Sequence, residues 1–238
     1  MIMRKRLFKT LILPAVVLMA GVSFTSCEKD SDQDSPQIGL KFNTITNPIS
    51  LEDGLKSAQQ TKELTFNSGS IIISSVEFEV ETDNDSVEIE FEMEASTVID
   101  FATGETSPDI SFVEIPAGTY NEMEVEIELQ DEDDNPSIIL YGIYTDAEGV
   151  DHDVRFEFNS GESFEVEREG VITFSSTENV LAQITIDPGA WFRNVSNEDL
   201  AAAEKIDDVI VISEDHNPDI FEIAADGLDL ATEVEIED

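Results

Sequence analysis

Val76-Glu77-Phe78-Glu79-Val80-Glu81, the polar residues Thr82 to Ser86, and then Val87-Glu88-Ile89-Glu90-Phe91-Glu92-Met93-Glu94 form the stretch that decides the fold. Apolar and charged residues alternate with a period of two, the side-chain period of a strand with one face buried and the other wet. The five polar residues between the runs make a turn, so the segment predicts a β-hairpin. The same pattern returns further on, with Met123, Val125, Ile127 and Leu129 inward and Glu122, Glu124, Glu126 and Glu128 outward. Pairing the first two strands sets glutamate opposite glutamate, and each such like-charge pair costs roughly 0.2–1 kcal/mol. A face of this kind needs screening. Salt can supply it, since the Debye length falls from about 10 Å at 0.1 M to about 3 Å at 1 M; calcium or a cationic partner laid on the face could do the same.

Outward from the hairpin, short strands and turns continue. Ile38 to Phe42 predicts a first strand, and Ile138 to Tyr144 a more apolar, central one. Asp146-Ala147-Glu148-Gly149 turns the chain into Val154 to Phe158, and shorter strands are expected at Phe164 to Glu167, Val171 to Phe174 and Val180 to Ile186. After the turn signal Asp187-Pro188-Gly189 the pattern changes. Ser196-Asn197-Glu198-Asp199 reads as an N-cap with acids in the first turn of a helix reaching about Lys205. Val209 to Ile212 is a short strand, and Asn217-Pro218-Asp219 starts a second helix with a capping Asn and Pro at the first helical position. Ile220, Phe221, Ala224 and Leu228 form its apolar face. The expected fold is mostly β, an antiparallel β-sandwich or open barrel with a short α-helical C-terminal extension.

The start of the chain has another character. Arg4, Lys5, Arg6 and Lys9 precede an apolar segment from Leu11 to Val22 that is too short to cross a bilayer of roughly 30 Å, as in an export signal. The single cysteine follows at once, in Phe24-Thr25-Ser26-Cys27, with the acidic run Glu28 to Asp34 behind it. This resembles the lipobox of bacterial lipoproteins, in which the cysteine after a small residue is acylated and becomes the mature N-terminus. Phe24, where Leu, Val or Ile is usual, and the acidic run are similar to lipoproteins of Bacteroidota that are sent to the outer face of the outer membrane. The resemblance implies lipidation at Cys27, a membrane contact through that anchor, and an outer-membrane, cell-surface location. More loosely, the body resembles hypothetical envelope lipoproteins of the same phylum, which implies no activity. The organisation expected is a signal peptide 1–26, an acidic flexible tether 27–37, a β-sandwich domain 38–187, and an extension 188–238 whose two helices pack on the sandwich.

Composition narrows the partners. The 238 residues hold 12 Lys+Arg against 54 Asp+Glu, a formal charge of -42. Loss of the four basic residues of 1–26 leaves eight against 54, or -46. Nucleic acid is excluded as a partner, because phosphate contacts need Lys and Arg. A hydrophobic fraction of 40% with 14 Phe is enough for a core without disulfides.

Candidate sites are few. Asp131, Asp133 and Asn135 offer the alternate oxygens of a calcium loop, but Pro136 and Gly142 stand where an EF-hand needs Gly and Glu, so only a surface calcium site is in question. Trp191, beside Phe192, is the best candidate for stacking on a sugar ring, against the competing role of a plug between the sandwich and the helices. Asp85-Ser86-Val87 resembles the O-glycosylation motif of Bacteroidota, which implies a glycan on Ser86. His152 and His216 are isolated, no Gly-x-Ser-x-Gly elbow is present, and no zinc spacing is visible. The expected function is a non-catalytic binding or structural module, with a surface glycan or protein as partner. The alternative is a polysaccharide-active hydrolase using an Asp/Glu pair across a cleft.

Overall fold

A computed structural model describes residues 37–51, 62–82, 88–110, 112–114, 117–131, 135–159, 161, 163–174, 180–228 and 232–237. Residues 34–238 form one compact unit. Its organising element is β3, a 19-residue strand from Glu63 to Glu81. Buried residues along it are Leu64 and Phe66, then Ile71 and Ile73, then Val76, Phe78 and Val80. The inward parity thus changes twice, and each change falls at a register shift, one between Phe66 and Ser68 and one between Ile73 and Ser75. A bulge inserts one unpaired residue, here Asn67 and then Ser74, and without it every later side chain would point to the wrong face. The two bulges therefore let one strand keep a single apolar face through an otherwise broken pattern.

β3 also changes partners along its length. β2 (Ile49–Ser50) and β8 (Ile138–Thr145) pair with its first half. β4 (Glu88–Asp100) and β7 (Gly118–Leu129) pair with its second. The handover from β8 to β7 is at Ile72, whose N–H donates to the Ser137 carbonyl at 2.7 Å and whose carbonyl accepts from the Gln130 N–H at 3.0 Å. β5 (Thr106–Ser107) pairs with the end of β4. Outside these lie β9 (Asp151–Phe158) on β8 and β10 (Ser163–Phe174) on β7.

The second sheet has four strands. β1 (Gln37–Thr44) runs antiparallel to β6 (Phe112–Glu114) and parallel to β11 (Val180–Ile186), whose other edge takes β14 (Thr232–Glu237). The two sheets face each other: Phe42, Ile184 and Ile186 of one and Ile71, Ile99, Ile127 and Ile138 of the other surround one apolar void of about 30 Å³. The molecule is a β-sandwich, mostly antiparallel, and the described residues close no barrel.

The C-terminal residues carry α1 (Pro188–Trp191), α2 (Asn197–Ala202) and α3 (Pro218–Leu228), and they add strands as well. β12 (Lys205–Ile206) pairs with β13 (Val209–Ile212), which joins the large sheet parallel to β9, while β14 extends the small one. Phe156 of β9 is the hub of an aromatic cluster. Its ring lies 5.2 Å from Phe192, 6.3 Å from Phe221 of α3 and 6.4 Å from Trp191, and Phe192 lies 5.0 Å from Phe66. Helix α3 comes close enough to α1 that a Cβ on Gly227 would sit 2.5 Å from the Trp191 carbonyl oxygen, so only glycine fits there.

Three expectations need correction. Phe164 to Glu167 and Val171 to Phe174 are one strand, β10, with an irregularity between Glu169 and Ile172. Gly170 takes φ +127 there, and Val171 is turned out to solvent. The helix at Asn197 stops at Ala202, because Ala203 is extended (φ -60, ψ 140), and Lys205 is already in β12. Asn217 precedes α3 as expected and its carbonyl accepts from the Ile220 and Phe221 N–H groups, both at 3.1 Å, but its side chain is engaged elsewhere. Its backbone is left-handed (φ 53), and its side-chain amide accepts from the Glu204 N–H at 2.8 Å and donates to the Glu204 and Val211 carbonyls at 3.0 and 2.7 Å. It thus ties the exit of α2 to the end of β13.

Candidate functional site

The glutamate strands lie side by side. Backbone register places β4, β3, β7 and β10 in that order, so each row of four carries four glutamates: Glu92, Glu77, Glu126 and Glu165; Glu90, Glu79, Glu124 and Glu167; Glu88, Glu81, Glu122 and Glu169. The strand spacing is roughly 4.8 Å, and alternate residues along a strand are about 6.7 Å apart. Between the rows Val76, Phe78, Val80, Met123, Val125 and Ile127 are buried, which turns Glu77, Glu79, Glu81, Glu122, Glu124 and Glu126 to the other side. The hairpin foreseen from β3 and β4 is therefore half of a four-stranded set in which backbone register aligns glutamate positions in rows. The neighbourhood of β10 and β3 across β7 joins residues too far apart in sequence for periodicity to reveal.

A second cluster sits at the far end of the large sheet. The turn after β8 is held by Asp146, whose carboxylate accepts from the N–H groups of Glu148 and Val150, both at 2.9 Å, and lies 2.9 Å from His152 Nε2. These bonds, the one from Val150 first and that from His152 next, hold the Asp146 carboxyl below the usual range. His152 Nδ1 in turn is 2.8 Å from Lys205 Nζ. The tautomer that satisfies both contacts has Nε2–H donating to Asp146 and Nδ1 accepting from the lysine ammonium. Across the pair, Tyr144 donates to Asn197 Oδ1 at 2.7 Å, and burial followed by the charges of Asp146 and Glu148 pushes its hydroxyl up. A cleft of about 330 Å³ opens over these groups.

Asp146 and His152 make the orienting half of a catalytic triad. The nitrogen that would take a proton from a nucleophile is, however, occupied by Lys205, so the chain of contacts straps β9 to β12. His152 and Lys205 are 53 residues apart, and their meeting has no local signal in the sequence. His216 is exposed near a neighbouring cleft of about 410 Å³ that Asp199, Glu204, Asp215 and Asp219 also line.

The candidates read from sequence are scattered or covered. Trp191 is 5% exposed and Phe192 is fully buried, so the pair fills the space between sheet and helix and has no open ring face for a sugar. Asp131 and Asn135 are exposed, whereas Asp133 lies outside the described residues, as do Ser86 and Cys27. Among the described residues no group of three His, Cys, Asp or Glu is arranged to hold a metal ion, and no helix is long and apolar enough to cross a membrane. Compared with family models, curated proteins and solved structures, the chain matches none.

Proposed function

We propose that the protein is an outer-membrane lipoprotein, anchored through Cys27 and exposed at the cell surface, that acts as a non-catalytic binding or structural module. The observation that carries the binding part is the acidic face. Setting glutamates side by side across adjacent strands adds like-charge repulsion, and it yields a densely anionic surface suited to cations or to a cationic partner. The alternative, a hydrolase with two carboxylates across a sugar-sized cleft, has its candidates in the cleft of Asp199, Glu204, Asp215 and Asp219, whose described lining holds no Trp, Tyr or Phe for a sugar ring to stack on. The anchor rests on the resemblance of residues 1–34 to lipoprotein signals; two or more acyl chains hold a protein stably where one binds only marginally.

Cell fractionation tests the anchor. Cys27→Ala should move the protein from the membrane fraction to the soluble one, and retention in the membrane would end the lipoprotein reading. Titration of the purified chain tests the face. If calcium sits there, CaCl₂ raises the melting temperature more than NaCl at matched ionic strength; equal shifts mean that the face is only screened.

A further inference from the structure

The sequence of β8, Ile138-Ile139-Leu140-Tyr141-Gly142-Ile143-Tyr144, is an almost unbroken apolar run, the pattern of a strand covered on both faces. Among the described residues the fold covers only one. Ile138, Leu140 and Tyr144 are buried in the core, while Tyr141 and Ile143 point the other way and are 47% and 38% exposed. Ile139, between them and the bulge region of β3, is half-buried. Val98 of β4, 39% exposed and paired with Ile72, continues the apolar surface toward the edge. The strip is central in its sheet, so it is a face and not a frayed edge.

What brackets the strip sets the chemistry of its occupant. On the β9 side the register places Asp153 opposite Ile143, Arg155 opposite Tyr141 and Glu157 opposite Ile139. Arg155 Nε is 2.8 Å from Glu157 Oε1, so the one cation of that row is already engaged by a carboxylate. On the β3 side stand Thr65, Ser68 and Ser70, with Asp100 beyond Ser70. An apolar centre bordered by Asp153, Glu157 and Asp100, three carboxylates against the single Arg155 guanidinium, complements a surface with apolar residues flanked by Lys or Arg. A second copy of this chain would bring acid to acid, at a formal charge of -42 each.

We infer that the outer face of β8, from Val98 to Ile143, docks a polypeptide of the opposite pattern, apolar side chains flanked by cations. The inference rests on the reading of the protein as a binding module and names the class of its partner. It also separates two tasks: the glutamate rows attract such a partner at long range, and the β8 strip holds it by contact.

The test uses two synthetic peptides of equal length and charge, one alternating Leu with Lys and one alternating Ser with Lys, titrated into the full chain at about 0.15 M NaCl. The wild type should bind the Leu-Lys peptide at least about tenfold more tightly, a difference that burial of two anchor side chains supplies. Tyr141→Ser with Ile143→Thr should abolish that preference and leave Ser-Lys binding unchanged. Both positions are exposed, so the fold survives, as an unchanged melting temperature would verify. Asp153→Lys, a second and independent variant, should weaken the Leu-Lys peptide and flatten its salt dependence. Equal binding of the two peptides by the wild type, or undiminished Leu-Lys binding by the double variant, overturns the inference and leaves the module reading standing. Concentration-dependent dimerisation of the wild type that the double variant lacks would assign the strip to a second copy and overturn it as well. Failure of the module reading would show separately, as binding of neither peptide together with no shift of melting temperature with CaCl₂ or NaCl.

Discussion

The two halves of the large sheet are held by different physics. In the second half of β3 and in β7, one binary pattern does most of the work, apolar residues inward and glutamates outward, and the register with β4 and β10 sets glutamate beside glutamate across the sheet. Around β8, β9, β13 and the helices, alternation is joined by particular contacts that set the geometry, namely the Phe156 cluster, the Asn217 amide and the Asp146–His152–Lys205 strap. A patterned region tolerates exchange of one residue for another of the same class. A region built on particular contacts does not, and the two should respond to mutation in opposite ways.

The largest effect is expected at Phe156, fully buried among Phe192, Phe221 and Trp191. Phe156→Ala should cost about 3–5 kcal/mol, read from denaturant unfolding, and a loss near 1 kcal/mol would mean that the cluster closes over the gap. Next comes Asn217, whose amide makes three bonds to backbone groups of Glu204 and Val211. Asn217→Ala should cost about 1–3 kcal/mol, because backbone partners lose their bonds and alanine resists a positive φ. On the acidic face the sign reverses. Glu126 stands between Glu77 and Glu165, so Glu126→Gln should raise stability by about 0.2–1 kcal/mol, with the gain fading as NaCl is added. A loss of stability there would break the contrast.

The smallest effects are those of pH at the strap. Asp146 is depressed in the folded chain, so its contribution is present above the unfolded value near 4 and is lost as pH falls through the lower folded value. Tyr144 is raised, so its contribution is present below about 10 and is lost as pH rises through the higher folded value. Stability profiles of Asp146→Asn and Tyr144→Phe should be flatter than wild type on the acid and the alkaline limb respectively.

The same contrast governs what could be read from the sequence. β7, β9, β11, β13 and α3 were legible from alternation, turn residues and the Asn-Pro start, nearly to their ends. The first half of β3 was not, since Asn67 and Ser74 each invert the parity that a periodicity argument follows. β14, though it alternates, follows a helix and pairs with β11 of the other sheet. At the candidate site, the glutamate rows were half legible: the β3–β4 pairing is local and the addition of β7 and β10 is not. Lys205 beside His152, and the Asn217 amide on Glu204, depend on tertiary placement alone. Trp191 reads in sequence as a sugar-stacking aromatic or, more strongly, as a plug between sandwich and helices, and Phe156 beside it shows the plug.

The parallel pairing of β1 with β11 has a kinetic consequence. Ile38 sits beside Val180, so 142 residues must be made before the small sheet can form its central pair. Only six residues separate β3 from β4, and only five separate β8 from β9. Closing a long loop is slow as well as entropically costly, and contacts of low sequence separation form first. The large sheet should therefore gain amide protection early in refolding and β1 late, an order that pulse-labelled hydrogen exchange reads directly. An assembly in which β1 were protected first would require a template other than β11. On this order, the strand nearest Cys27 is among the last to be locked in place.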